Sequence, residues 1–270
     1  MTIVRSVSEV RAALATPGDR RGFVPTMGAL HDGHRRLFDA ARAECAVVVA
    51  SIFVNPTQFN DASDLAAYPR QEAEDAAMAH AAGVDLLFVP SAQEMYSADF
   101  ATTIVVAGPA VGLEATHRPG HFSGVAGVCL KLFNIVRPDV VYLGQKDAQQ
   151  VAVLTQLVHD VNLDLQVRVV ATVRAADGLA LSSRNARLSA EDRRRALAIP
   201  AALRAGAAAH RRGEDPVAAA RAELGGLEVE YAEIAWFGRG PTLVVAARAG
   251  TTRLIDNVPL DYPEEAGLPI

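Results

Sequence analysis

Short, nearly continuous apolar runs alternate with stretches of helical periodicity through the first two-thirds of the chain. Residues 22–24, 46–54, 85–89, 139–143 and 165–170 read as buried strands. Residues 33–44, 71–82, 121–136 and 148–161 carry helix-like spacing. In the third of these, Val125, Val128, Cys129, Leu132, Phe133 and Val136 recur as one buried helix face would require. Nearly continuous apolar strands alternating with helices predict an α/β fold, with a parallel sheet covered on both faces. Ligands of such folds bind beyond the carboxyl ends of the strands.

The texture changes after about Val173. Ser189-Ala-Glu-Asp192 has the form of a helix N-terminus with a capping acid. An alanine- and arginine-rich helix is predicted from there to about Arg212, stopping at Gly213. A further helix over 216–224 and strands over 228–237, 242–247 and 251–255 follow. The expected division is a parallel-sheet domain over 1–172 and a smaller C-terminal α+β domain over 173–270.

Polar residues cluster just after the strands. Pro25-Thr26-Met27-Gly28-Ala29-Leu30-His31-Asp32-Gly33-His34 runs from a strand through a glycine-bearing turn into a helix start. A helix N-terminus favours phosphate through its N–H groups and dipole. His31 and His34 add ring donors on that side, or else simply cap the helix. Asn55-Pro56-Thr57-Gln58-Phe59 is a turn, or a pair of amide side chains over the sheet edge. His121, after Arg118-Pro119-Gly120, is a ligand contact or an ordinary first-turn residue.

In Gly144-Gln145-Lys146-Asp147 a lysine stands at a helix N-terminus, where the dipole disfavours a cation unless an anion is shared. A phosphate-binding Lys146 is the preferred reading, with Asp147 as a cap or a ribose contact. Ser182-Ser183-Arg184-Asn185 suits phosphate oxygens, though viewed alone it reads first as a polar hinge loop. Glu74 and Asp75 can hold Mg²⁺ beside substrate phosphates. A solvated acidic helix face is the commoner arrangement for such a pair and is preferred.

Composition narrows the classes. Lys and Arg number 26 against 31 Asp and Glu, a net charge of −5, which argues against sequence-independent nucleic-acid binding. The two cysteines, Cys45 and Cys129, lie in apolar segments and imply no disulfide framework. No apolar run reaches the roughly 18 residues of a membrane span, and the N-terminus lacks a signal-peptide pattern. The expectation is a cytoplasmic protein with no membrane or nucleic-acid partner. Neither a Walker A sequence nor G-x-G-x-x-G, G-x-S-x-G or zinc-type spacing occurs.

Taken in order, the motifs resemble those of the pantoate–β-alanine ligase family over nearly the whole length. They are 25–34, Ser51-Ile52-Phe53-Val54-Asn55-Pro56-x-Gln58-Phe59, Tyr68-Pro69-Arg70, Arg118-Pro119-Gly120-His121-Phe122, Gly144-x-Lys146-Asp147-x-Gln149-Gln150 and Ser182-Ser183-Arg184-Asn185. The resemblance implies a Rossmann-like fold of the H-x-G-H nucleotidyltransferase group, a homodimer, ATP as substrate and Mg²⁺ as cofactor. The implied reaction joins pantoate to β-alanine through a pantoyl adenylate, releasing pyrophosphate and AMP, with the smaller domain covering the active site.

The resemblance makes His31, His34, Lys146, Ser182, Ser183 and Arg184 the catalytic set. ATP contacts are implied at these and at Met27, Gly33, Gly144, Asp147, Val173 and Leu181. Leu181 departs from the methionine common before the two serines, and backbone contacts are expected to survive it. Pantoate contacts are implied at Pro25, Met27, Gln58, His121 and Gln150, and metal contacts at Glu74 and Asp75. Two other functions remain in view. Another H-x-G-H adenylyltransferase would want more basic residues for a phosphorylated acceptor, whereas Gln58 and Gln150 suit a neutral polyol. A non-catalytic nucleotide-binding regulator is disfavoured by Lys146 standing together with His31 and His34.

Overall fold

The computed structural model describes residues 1–16, 18–238 and 240–261. Its larger sheet uses β1 (Thr2–Val4), β2 (Arg21–Thr26), β3 (Val47–Ile52), β4 (Leu86–Phe88), β5 (Val140–Gly144) and β6 (Gln166–Val170). The six lie in the order β1-β4-β3-β2-β5-β6. Parallel pairing joins β1 to β4, β4 to β3, β3 to β2 and β2 to β5.

Alternate residues of these strands feed two cores. Phe23, Val49 and Val141 point to one side, where α1 (Val7–Ala13), α7 (His121–Val136) and α8 (Ala148–Asp160) bring Val10, Leu132 and Leu154. Val24, Val48 and Val140 point to the other, where α2 (Asp32–Glu44) and α4 (Glu72–Ala81) bring Phe38 and Ala79. Burial on both faces is why these strands read as unbroken apolar runs. The short helices α3 (Ala62–Ala66), α5 (Ala92–Met95) and α6 (Glu114–His117) occupy the connections. β6 is the exception to expected burial, because it ends the sheet and stays half-exposed.

The chain groups into two units, 1–143 with 149–170 and 144–148 with 171–270. This differs from the expected cut at 172, chiefly because the short segment 144–148 clusters with the later residues. The end of the expected second domain, 262–270, lies outside the described residues, as do Pro17 and Arg239.

The second unit holds α9 (Ala190–Ala196), α10 (Ala198–Arg211) and α11 (Pro216–Glu223) with β7 (Glu228–Trp236), β8 (Pro241–Ala249) and β9 (Thr252–Pro259). The three strands are antiparallel, with β8 central. The single helix expected to Arg212 is two, interrupted at Leu197. Pro200 has no N–H to give the carbonyl of Ala196, and its ring crowds that carbonyl. Leu203, Leu243, Val245 and Val258 form the centre of this unit's own core.

Both cysteines are free and buried, and burial pushes the Cys129 thiol up to about 12. They pack as small apolar side chains, as expected. Among the described residues no helix is long and apolar enough to cross a membrane.

Candidate active site

Between β2 and α2 the chain turns through two consecutive left-handed residues, Gly28 at φ 81° and Ala29 at φ 52°. The turn leaves the N–H groups of Ala29 and Leu30 buried. Both donate to the carboxylate of Asp75, at 2.9 and 2.7 Å. Asp75 is 1% exposed, and a side chain at position 28 would put its Cβ 2.8 Å from Asp75 Oδ2. Glycine is therefore required at 28 for both its backbone conformation and its lack of bulk.

This corrects the preferred reading of Glu74 and Asp75 as a solvated acidic face. Glu74 is exposed, but Asp75 turns inward and spends both oxygens on backbone donors. The pair does not fit a Mg²⁺ cage either. Gln71 Nε2 adds a further contact to Asp75, at 3.4 Å, and no group of three or more His, Cys, Asp or Glu suited to a metal occurs among the described residues.

The turn delivers His31 in an extended conformation as the N-cap of α2. His31 Nδ1 accepts the N–H of Gly33 at 3.1 Å, and His34 Nδ1 accepts the N–H of His31 at 3.2 Å. The two rings thus form a capping box, with centroids 4.2 Å apart. Because each Nδ1 accepts, the proton of each neutral ring sits on Nε2. The capping and ligand readings of these histidines are compatible, since Nδ1 serves the helix and Nε2–H is the donor.

A second group gathers where β3 ends. Gln58, 6% exposed, closes the 3₁₀ turn Pro56–Gln58. Its Oε1 accepts from Asn55 Nδ2 at 3.1 Å, and its Nε2 lies 2.9 Å from the sulfur of half-buried Met27. Asn55 in turn donates to the carbonyl of Gly124 on α7, at 3.2 Å. A Cβ at Gly124 would lie 2.4 Å from the Thr57 carbonyl oxygen, so only glycine lets α7 approach this turn.

His121 Nδ1 pairs with the Gln58 carbonyl at 2.9 Å and Nε2 with Arg118 at 3.2 Å. A carbonyl only accepts and a guanidinium only donates, so His121 carries its proton on Nδ1. Burial holds the Tyr96 hydroxyl above the usual phenol range, keeping it the donor to Asn55 Oδ1 at 2.8 Å. The structure thus brings Met27, Gln58 and His121 together, with Pro25 half-buried on β2. Gln150 stands half-buried in the first turn of α8 without a side-chain hydrogen bond to the described residues. Its neighbour Gln149 is buried and ties down the carbonyls of Pro109 and Gly112.

In the second unit, Lys146, Ser182, Arg184, Arg253 and Asp256 line one pocket. Lys146 lies in the 3₁₀ turn Gln145–Asp147 that follows Gly144, with Nζ 3.4 Å from Asp147 Oδ1. Leu181 N–H donates to the Val173 carbonyl at 2.9 Å, so these two expected ATP contacts are bonded to each other. Ser182 then caps the 3₁₀ turn Ser183–Arg187 by accepting the N–H of Arg184 at 3.3 Å. Arg253 was not singled out from the sequence. Strand alternation hides it, and its partner Glu230, 2.6 Å away, is on another strand.

Replacing Asp75 by Asn keeps one acceptor but sets an amide N–H₂ against the second buried donor. Asp75→Asn should lose about 1–3 kcal/mol of unfolding free energy in denaturant titrations with chelator present, the cost of an unmet buried group. Unchanged stability in chelator would show that the carboxylate does not hold the turn.

The chain matches the family model described as pantoate-beta-alanine ligase over residues 2–259. It is 47% identical over 277 positions to the pantothenate synthetase of Cereibacter sphaeroides, covering 96% of this chain and 99% of that one. Against the pantothenate synthetase of Mycolicibacterium smegmatis the identity is 49%, covering 97% and 87%. The crystal structure of pantothenate synthetase from Thermus thermophilus superposes with a TM-score of 0.91 at 42% identity, covering 97% of this chain and 100% of that one. Pantoate-beta-alanine ligase from Francisella tularensis, complexed with beta-gamma ATP and beta-alanine, gives 0.84 at 36% identity, covering 97% and 99%. With likeness of this degree along nearly the whole length, the chain belongs to the pantoate–β-alanine ligase family.

Proposed function

We propose that the ATP-dependent joining of pantoate to β-alanine, the activity of this family, runs here through a pantoyl adenylate. In the first step a pantoate carboxylate oxygen attacks the α-phosphorus of ATP. The bond to the bridging oxygen breaks and pyrophosphate leaves. In the second, the amine of β-alanine attacks the acyl carbon, the bond to AMP breaks, and the new amide nitrogen sheds a proton. Neither step needs a protein nucleophile. The work left to the protein is alignment and neutralisation of charge.

The observation that carries this reading is the capping box of His31 and His34, which fixes both rings with Nε2–H as donor at a helix N-terminus. We assign the phosphates to these rings, to Lys146, and to Ser182, Ser183 and Arg184. Met27, Gly33, Gly144, Asp147, Val173 and Leu181 are the further ATP contacts. Gln58 and Gln150 take the pantoate hydroxyls, with His121 beside them and Pro25 and Met27 as the apolar wall. The cofactor Mg²⁺ belongs on this reading to the ATP phosphates rather than to Glu74 and Asp75. Cytoplasmic residence follows from the reaction's draw on the ATP pool.

The second copy of the homodimer is assigned to the segment around Val105. Ile104 and Val106 pack on the first unit's core, while Val105 is 78% and Val111 72% exposed. This inward–outward alternation is that of a strand, yet no strand pairs with it among the described residues. Val105→Asp should convert the protein to monomer in analytical ultracentrifugation, and a variant that stays dimeric would place the interface elsewhere.

Pantoate and ATP without β-alanine should support exchange of labelled pyrophosphate into ATP. Exchange that appears only on adding β-alanine would overturn the adenylate route. A paired variant, His31→Ser with His34→Gln, separates helix capping from phosphate binding. Serine and glutamine restore a capping box but lack the ring donors. Stability should stay within about 1 kcal/mol, while turnover falls roughly a hundredfold or more, as for a lost donor in a dry site. Near-normal turnover would reduce the rings to caps.

A further inference from the structure

The turn that carries Lys146 runs from the end of β5 directly into α8. Its three residues, Gln145–Asp147, form a single 3₁₀ turn without a side-chain cap, and the lysine's nearby carboxylate is its own neighbour. A lysine acting as a fixed charge needs its turn set closely, because misplacement by about 1 Å can cost on the order of a hundredfold in rate.

A side-chain restraint on this turn comes from more than a hundred residues later in the chain. Asn257 on β9 is 5% exposed. Its Nδ2 donates to the carbonyl of Gln145 at 2.9 Å and to that of Lys146 at 2.8 Å. Its Oδ1 accepts from Gln145 Nε2 at 3.0 Å. Both amide protons and the amide oxygen are therefore spent on the lysine turn. No other residue type offers two donors and an acceptor in so short a plane. Aspartate, of the same shape, would set an oxygen against two carbonyls.

Asn257 is itself well fixed. Its N–H donates to Oδ1 of Asp256 at 2.9 Å. That carboxylate also receives both terminal nitrogens of Arg174, at 2.6 and 3.2 Å, with the two side chains 2% and 9% exposed. Arg174 bridges to Ala180, at the base of the 182–184 loop.

We propose that Asn257 is a positioning residue for adenylation, setting the backbone of Lys146 so that its ammonium meets the ATP phosphates. This rests on the role assigned to Lys146 above. The test is a double-mutant cycle on the full-length enzyme, read by pantoate-dependent ATP–pyrophosphate exchange. Lys146→Ala should reduce exchange roughly a hundredfold, the scale of a lost charged donor. Asn257→Ala should reduce it at least tenfold, and should reduce the Lys146→Ala background by less than twofold.

Losses that multiply would make Asn257 merely structural and overturn the inference, since independent sites add in free energy. Wild-type exchange in Asn257→Ala would do the same while leaving the role of Lys146 intact. Wild-type exchange in Lys146→Ala would instead remove the reading on which the inference stands. Should Asn257→Ala fail to fold, Gln145→Ala removes only the bond to Oδ1. It should give a smaller loss that likewise disappears in the Lys146→Ala background, and persistence of that loss there would overturn the inference.

Discussion

One buried carboxylate accepting two backbone N–H groups is the constraint on which the first unit's chemistry depends. The chain leaves β2 and must reverse sharply to start α2, and it does so with a glycine and then an alanine at positive φ. Left-handed backbone at a non-glycine residue costs roughly 1–2 kcal/mol. Asp75 offsets this by meeting the two donors the turn leaves inside the protein. The same contact determines where α2 begins, and so where the rings of His31 and His34 stand. A charged acceptor is effective here because its hydrogen bonds are stronger than neutral ones and water does not compete for them.

The Gln58 group depends on a different kind of restraint. Shape replaces charge there: Gly124 lets α7 come within contact of the 56–58 backbone, and Asn55 bonds across the junction. His121, at the start of the same helix, then holds the Gln58 carbonyl. The polar ends of the group are held by the amides of Asn55 and Gln58 and by the imidazole of His121, which in turn meets the Arg118 guanidinium. The second unit combines both devices. A buried ion pair, Arg174 with Asp256, adjoins an amide, Asn257, that binds carbonyls. Such a pair is costly to break, because either charge left alone would stay buried without compensation.

Much of this was legible in the amino-acid sequence. The strands around Phe23, Val49 and Val141 announce themselves because both their faces are buried, and α7 because one of its faces is. The motif residues His31, His34 and Lys146 stand out because they come directly after buried strands, where ligands of such folds bind. Other features were hidden. β1 is three residues long, too short to show a period. The edge strand β6 carries Gln166 and Arg168 alternating with valines, and its place at the end of the sheet leaves it half-exposed. The break at Leu197 is hidden because Pro200 sits in a run otherwise rich in helix formers.

The sequence by itself therefore determined the alternation of strands and helices, the family, and the candidate site residues. These rest on local periodicity and on short motifs, in which each residue's neighbours along the chain supply the context. The tertiary structure alone decided what Asp75 and Asn257 do. In a sequence Asp75 is one acid in a helix with two others, Glu72 and Glu74. Its partners at 29 and 30 lie more than forty positions away. Asn257 is farther still from 145 and 146. A hydrogen bond depends on angle and on distances within a few tenths of an ångström. Only folding sets those quantities, by bringing distant backbone groups out of water and obliging some side chain to receive them.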